Sequence, residues 1–221
     1  NYYIQVHNFL DIAKNIDLNN IPIVHVYRSL TLVTHDKLSF ANGVRIGISL
    51  YGYKQNIPSG NFITRLKRRF LQNKYNINNV HLTNSLDINY CFSMYSEVIE
   101  LRNAKAGEFV GYGALYKLKE DSIIATISVG YADGVVKEFK YVYINDKKYE
   151  IVAECMDMIM VIVDSKVKVK DTVEIIGKNQ SVSEVGLRLG MRGHKFLNMF
   201  SNRVPIVYKY KKWIIFDIIT K

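Results

Sequence analysis

Apolar residues recur at helical spacing early in this chain and in short β-branched runs later, and that change divides it. Over residues 2–16, Tyr3, Ile4, Phe9, Leu10, Ile12 and Ala13 recur at mostly helical spacing, which predicts an amphipathic helix. Asn19 and Asn20 end it, and the apolar run 21–27 predicts a buried strand. A second helix is expected over about 30–40 and a second strand over 43–52. Helix, strand, helix, strand is the order of α/β repeats with parallel strands. Two such strands make no stable parallel sheet alone, so they are expected to be the tail of a larger α/β domain. Residues 53–61, with Pro58 and Gly60, predict a loop; a basic helix is expected at 62–74, and an Asn-rich exposed connection at 75–89.

From residue 90 the texture becomes β-branched and short-period. Apolar runs fall at 91–101, 122–129, 140–144, 149–153, 158–163, 173–176, 204–209 and 213–219. Turn signals separate them, among them Glu120-Asp121, Asn145-Asp146 and Lys170-Asp171. Many short strands at this spacing predict an all-β barrel or sandwich. A helical pattern over 181–199 interrupts them, with Ser181 or Ser183 as N-cap. The expected fold class is therefore α/β plus all-β, with a boundary near 85–92 and domains over 1–88 and 89–221.

Composition narrows the function classes. The 221 residues are 48% hydrophobic, enough for a packed core. A net charge of +10 favours anionic partners, phosphate-bearing ligands among them. The basic residues cluster only at Arg65-Leu66-Lys67-Arg68-Arg69 and at Lys209-Tyr210-Lys211-Lys212, which read as solvated faces. No RNP-like motif, zinc spacing or basic heptad accompanies them, which argues against nucleic acid as the partner. Cys91 and Cys155, far apart and without framework spacing, suit a reducing, cytoplasmic compartment. No apolar run approaches 18 residues, so no membrane-spanning helix is expected. The chain opens on Asn1 rather than Met, and it is expected to be a piece of something longer.

The candidate chemistry gathers around Tyr112, held between Gly111 and Gly113. Glycine lacks a Cβ, so backbone or ligand can approach closely there. In a chain with 16 tyrosines, a strand-opening turn with a half-buried tyrosine is the plainer reading of that stretch alone. Gly130-Tyr131-Ala132-Asp133-Gly134 and Cys155-Met156-Asp157, downstream, shift the balance.

Six ordered blocks resemble the fold-type III alanine racemases: GVRIGISLYG (43–52), KAGEFVGYGALY (105–116), ATISVGYADG (125–134), ECMDMIMV (154–161), VKDTVEIIG (169–177) and NRVPIVY (202–208). The resemblance implies the last two strands of a TIM (β/α)8 barrel followed by a C-terminal β-domain. It implies pyridoxal 5'-phosphate as cofactor, alanine as substrate and a homodimer with shared active sites, in which one subunit's β-domain closes its partner's barrel. The implied reaction interconverts L- and D-alanine through a pyridoxal phosphate aldimine by two bases on opposite faces of Cα. Tyr112 matches the catalytic tyrosine. A phenol ordinarily titrates near pH 10 and makes a poor base at neutral pH, so it would need a cation or donor beside it. Arg45 matches the arginine facing the pyridine nitrogen, where a permanent donor keeps that nitrogen unprotonated. Ser29, Gly47 and Ile48 match positions that hold the cofactor phosphate, at the end of late barrel strands where such barrels bind phosphate. Tyr131 and Met156 match residues at the substrate's approach and carboxylate. No metal is implied. Without the match, Arg45 reads as a surface arginine and Met156 as core packing.

The chain also departs from the pattern. The lysine that forms the Schiff base lies in a Lys-Ala-Asn-Ala-Tyr-Gly-like motif that occurs nowhere in this sequence. The chain is thus expected to be a fragment, inactive alone. Arg28 stands where the family carries an asparagine before Ser29. Asn202 stands where many members have a tyrosine touching the phosphate, and His194-Lys195 replaces Tyr-Glu. Two further readings stay open: a non-catalytic β-domain module binding an anionic partner, and a relative acting on serine.

Overall fold

Asn42 decides how the first strand begins. In the computed structural model, which describes residues 2–35, 38–52, 62–75, 90–191, 193–210 and 213–216, its Oδ1 accepts from Val24 N at 2.7 Å and its Nδ2 donates to Pro22 O at 3.1 Å. A side chain thus takes up the backbone groups that a strand ladder would have used. The strand expected over 21–27 therefore shortens to β1 (His25–Arg28), and Ile23 is 67% exposed rather than buried.

The chain divides into two compact units, Asn1–Asn89 and Tyr90–Lys221. In the first, α1 (Tyr2–Ala13) buries Tyr3, Val6 and Ala13. Ile12, expected on that face, points to the opposite side and is exposed. β1 leads into α2 (Ser29–Thr34), shorter than the helix expected over 30–40. β2 (Gly43–Arg45) returns parallel to β1, with His25 opposite Gly43 and Arg28 opposite Arg45. The strand expected over 43–52 stops at Arg45, because Gly47 donates its N–H to the Ser29 hydroxyl and Ile48–Tyr51 coils into a single 3-10 turn. The basic helix forms as α3 (Phe62–Tyr75). The expected loop at 53–61 and most of the connection at 75–89 lie outside the described residues.

The second unit is built on a closed antiparallel barrel. β3 (Met94–Ala104), the short hairpin of β4 (Phe109–Val110) and β5 (Tyr116–Lys117), β6 (Ser122–Ile127), β7 (Tyr141–Ile144), β8 (Lys147–Glu154), β9 (Ile159–Val163) and β10 (Thr172–Ile176) follow in order. The barrel runs β10-β3-β6-β9-β8-β7, and β7 pairs with β10 to close it, which leaves no free edge in the ring. In β9, Ile159, Val161 and Val163 point inward and alternate with half-buried Met160 and Ile162. Val98, Ile127, Val142, Ile144, Val173 and Ile175 fill the interior with no exposed surface. At about 25 cal/mol for each Å² of apolar surface removed from water, this packing is the main stabilising contribution.

The helical pattern expected as one piece over 181–199 forms two short helices, α4 (Val182–Arg188) and α5 (Gly193–Leu197). Gly190 breaks it with a left-handed backbone at φ 61. Ser181 is the N-cap: its hydroxyl accepts from Glu184 N, while Glu184 reaches back to Ser181 N at 2.7 Å. Ser183 instead hydrogen-bonds Tyr90 through its hydroxyl, at 2.7 Å. Gln180, nearly sealed, donates to Tyr141 O and Ile175 O and accepts from Arg188, so its whole amide is satisfied. A separate two-stranded ribbon, β11 (Val207–Tyr210) with β12 (Trp213–Phe216), ends the described chain. Among the described residues no helix is long and apolar enough to cross a membrane.

Candidate active site

Tyr112 stands on a turn that the sequence around it can only form with glycine. Val110 and Leu118, on and just after the β4–β5 hairpin, pack on Ile124 and Val152 in a small core outside the barrel ring. The five residues joining β4 to β5 begin at Gly111, with φ 77 and ψ −174, and continue through Gly113 at φ 70. A side chain at Gly111 would strike Ala153 of β8. The hairpin is thereby clamped to β8 while the phenol of Tyr112 projects outward, 79% exposed within the chain.

The same stretch of backbone supports the other two residues. Tyr131 N donates to Cys155 O at 3.1 Å, and Ala132 N to Met156 O at 2.9 Å. The turn carrying Tyr112 packs on Ala153 through Gly111, two positions before Cys155. Tyr112, Tyr131 and Met156 therefore converge on the end of β8 and the segment just beyond it, and Tyr131 and Met156 are 51% and 55% exposed. Met156 is thus not core packing. Burial pushes the Cys155 thiol upward, helped by the negative charges of Asp157 and Glu154, so the thiol stays protonated and structural. Cys155 and Cys91 are both free of disulfides.

Asp133 holds the Tyr131 loop. Its carboxylate is largely buried and accepts from Gly130 N at 3.0 Å, and Arg203 Nε stands 3.6 Å from its other oxygen. Ser201 N donates to Asp133 O at 3.3 Å, so the turn carrying Asn202 is tied to the Tyr131 loop. Asn202 itself is exposed. Arg203 stands in the NRVPIVY block, but its role was not legible there: an arginine in a turn acquires that role only from the buried carboxylate it meets. The underpinning by Ala153 and Cys155 was equally silent.

In the first unit, Ser29, Arg45, Gly47 and Ile48 lie together at the C-terminal ends of the two parallel strands. Ser29 is buried, and its Oγ accepts from Gly47 N at 2.9 Å, which leaves its own hydrogen to donate elsewhere. Arg28 and Arg45 are register partners, and both are exposed. Two guanidinium groups at one level repel each other unless an anion lies near them. A hydroxyl donor, two fixed cations and a glycine suit a phosphate and an aromatic nitrogen in chemistry and charge. Asn202 belongs to the other unit. The side chain of His194 lies outside the described residues, and Lys195 is exposed on α5. Among the described residues no group of His, Cys, Asp and Glu is arranged to hold a metal ion.

Comparison with known proteins adds four findings. The family model for the alanine racemase C-terminal domain matches residues 91–208, more than half of the chain. The alanine racemase of Clostridium tetani is 29% identical over 93% of this chain and 50% of its own length. Among solved structures, alanine racemase of Clostridium difficile 630 superposes with a TM-score of 0.75 at 26% identity, over 96% of this chain and 52% of its own. Alanine racemase from Bartonella henselae, with covalently bound pyridoxal phosphate, superposes at 0.56 with 27% identity, over 74% of this chain and 41% of its own. The chain thus spans about half the length, or less, of the proteins it matches.

Proposed function

This chain belongs to the alanine racemase family, and we propose that it supplies the carboxy-terminal share of a pyridoxal-phosphate racemase that interconverts L- and D-alanine. The observation that carries the reading is Tyr112, exposed on a glycine-flanked turn that packs on Ala153, just before the segment that supports Tyr131 and carries Met156. A racemase must exchange a proton on one face of a carbon and restore it on the other, so each base must reach an outside molecule. A phenol that is 79% exposed on a rigid support meets that need.

The remaining roles follow from the chemistry of each group. The first unit is read as the last strands of a (β/α)8 barrel, whose strand ends form an anion seat. Ser29 donates its hydroxyl hydrogen to the cofactor phosphate, beside the backbone of Gly47 and Ile48. Arg45 donates to the pyridine nitrogen. When bound, the cofactor draws electron density from the substrate's Cα and acidifies its proton. Tyr112 then holds or returns the proton at its hydroxyl oxygen. Tyr131 and the backbone N–H of Met156 orient the substrate carboxylate. Because these three groups face outward from their own unit, they suit a cavity in a second copy, and the working form is a homodimer with shared sites.

The schiff-base lysine is to be supplied by residues other than those matched here. The reading is tested by fusing this chain to the amino-terminal half of the Clostridium tetani relative and following conversion of L-alanine and of L-serine. Alanine turnover is expected, with a loss of about 10²- to 10⁴-fold in Tyr112→Phe and cofactor still bound by its absorbance. Full turnover by Tyr112→Phe sinks the proposal; preference for serine moves it to another substrate.

A further inference from the structure

Among the described residues, helix α3 has an apolar face that nothing in its unit covers. Phe62, Ile63, Leu66 and Phe70 are between 51% and 74% exposed. At 100° per residue they fall in one sector of the helix. Arg69 borders that sector on one side, and Lys67 and Lys74 border it on the other; all three are exposed. The helix contains no acidic residue. Its surroundings in sequence are equally one-sided: from Lys37 to Leu86 there are eight Lys and Arg and no Asp or Glu. Most of the chain's net charge of +10 therefore comes from this stretch.

We propose that α3 binds an anionic lipid surface, lying flat in the interface with Phe62, Ile63, Leu66 and Phe70 inserted. The proposal is independent of the racemase reading. Its basis is the geometry of two features together. A water-exposed apolar stripe of two aromatic and two aliphatic side chains is unfavourable in solution and marks a binding surface. Long cationic side chains flanking such a stripe can bury their stems in the acyl boundary while their charges stay among the headgroups. A nucleic acid would be held by the charges alone and leaves the aliphatic stripe without a role. Fourteen residues make a rod of about 21 Å, long enough to rest on a bilayer and too short to cross it.

The test is co-sedimentation of the whole chain with phosphatidylcholine vesicles, with and without phosphatidylglycerol. Binding is expected only to the anionic vesicles and is expected to weaken with added salt. Lys67→Gln/Arg69→Gln/Lys74→Gln is expected to lose about a hundredfold in partitioning. Leu66→Ser/Phe70→Ser keeps every charge and is expected to lose binding as well; since both residues are exposed, circular dichroism should be unchanged. No binding to anionic vesicles overturns the proposal. So does binding that survives Leu66→Ser/Phe70→Ser undiminished, and so does tight binding of a homopolymeric RNA that this variant leaves intact.

Discussion

A Cβ added at Gly111 would stand 2.5 Å from the Cβ of Ala153. That contact is far inside van der Waals distance, and it lies between a loop and a barrel strand 42 positions later in the chain. Gly111 also sits at φ 77, where an L side chain is strained. Gly111→Ala is expected to lower stability by about 1–3 kcal/mol. Gly111→Ala/Ala153→Gly removes the clash and leaves the strain, so it should recover part of the loss. Urea midpoints of the single and double variants check this; no recovery would mean that the strain alone matters.

The Ser29–Gly47 bond makes a second prediction. Ser29→Ala removes the acceptor of a 2.9 Å hydrogen bond, at a cost of about 0.5–1.5 kcal/mol. It also removes the hydroxyl donor, so pyridoxal phosphate should bind more weakly in a fluorescence titration, while Ser29→Thr should keep most of the affinity. Equal affinity in wild type and Ser29→Ala removes this serine from the anion seat.

Asp133 is expected to matter through the loop it holds. Asp133→Ala leaves Gly130 N–H without its acceptor beside a packed segment, a loss of about 1–3 kcal/mol. Asp133→Asn keeps an acceptor oxygen but no charge toward Arg203, and it should cost less. Thermal unfolding of the two variants orders them; equal losses would place the weight on the ion pair, which both variants remove.

Acid stability should depend on Asp164. A hydrogen bond from Lys147, then one from Lys166 N, hold its carboxyl down at about 2, against an ordinary value of 3.8, and the Tyr149 hydroxyl adds to them. The folded state therefore binds this proton less readily than the unfolded chain. The contribution is fully present above about 3.8 and is lost as pH falls through about 2. Denaturant midpoints should fall more steeply between those values in wild type than in Asp164→Asn. Parallel slopes would remove Asp164 from the acid response.

The strands were legible as short apolar, β-branched runs set between turn signals. Ile159 to Val163 is such a run, and only its burial alternates, while Asn145-Asp146, which takes φ 52 and 61, forms the two-residue turn its composition suggested. Legibility failed where one side chain outcompeted a pattern. Residues 21–24 look like strand, yet Asn42 captures their backbone from 18 or more positions away. Residues 46–52 look like strand, yet Gly47 turns to the Ser29 hydroxyl. The helical pattern over 181–199 was legible from its apolar spacing, and its division at Gly190 was not.

The sequence by itself determined the parts: the strand segments, the basic helix, and Tyr112 between two glycines, because local periodicity and glycine's missing Cβ act within a few residues. Only the tertiary structure decided that β10 lies between β3 and β7, that Ala153 braces Gly111, and that Arg203 meets Asp133. Those choices rest on packing and charge between residues distant in the chain. Their energies depend on which surfaces close around one another, and no local pattern encodes that.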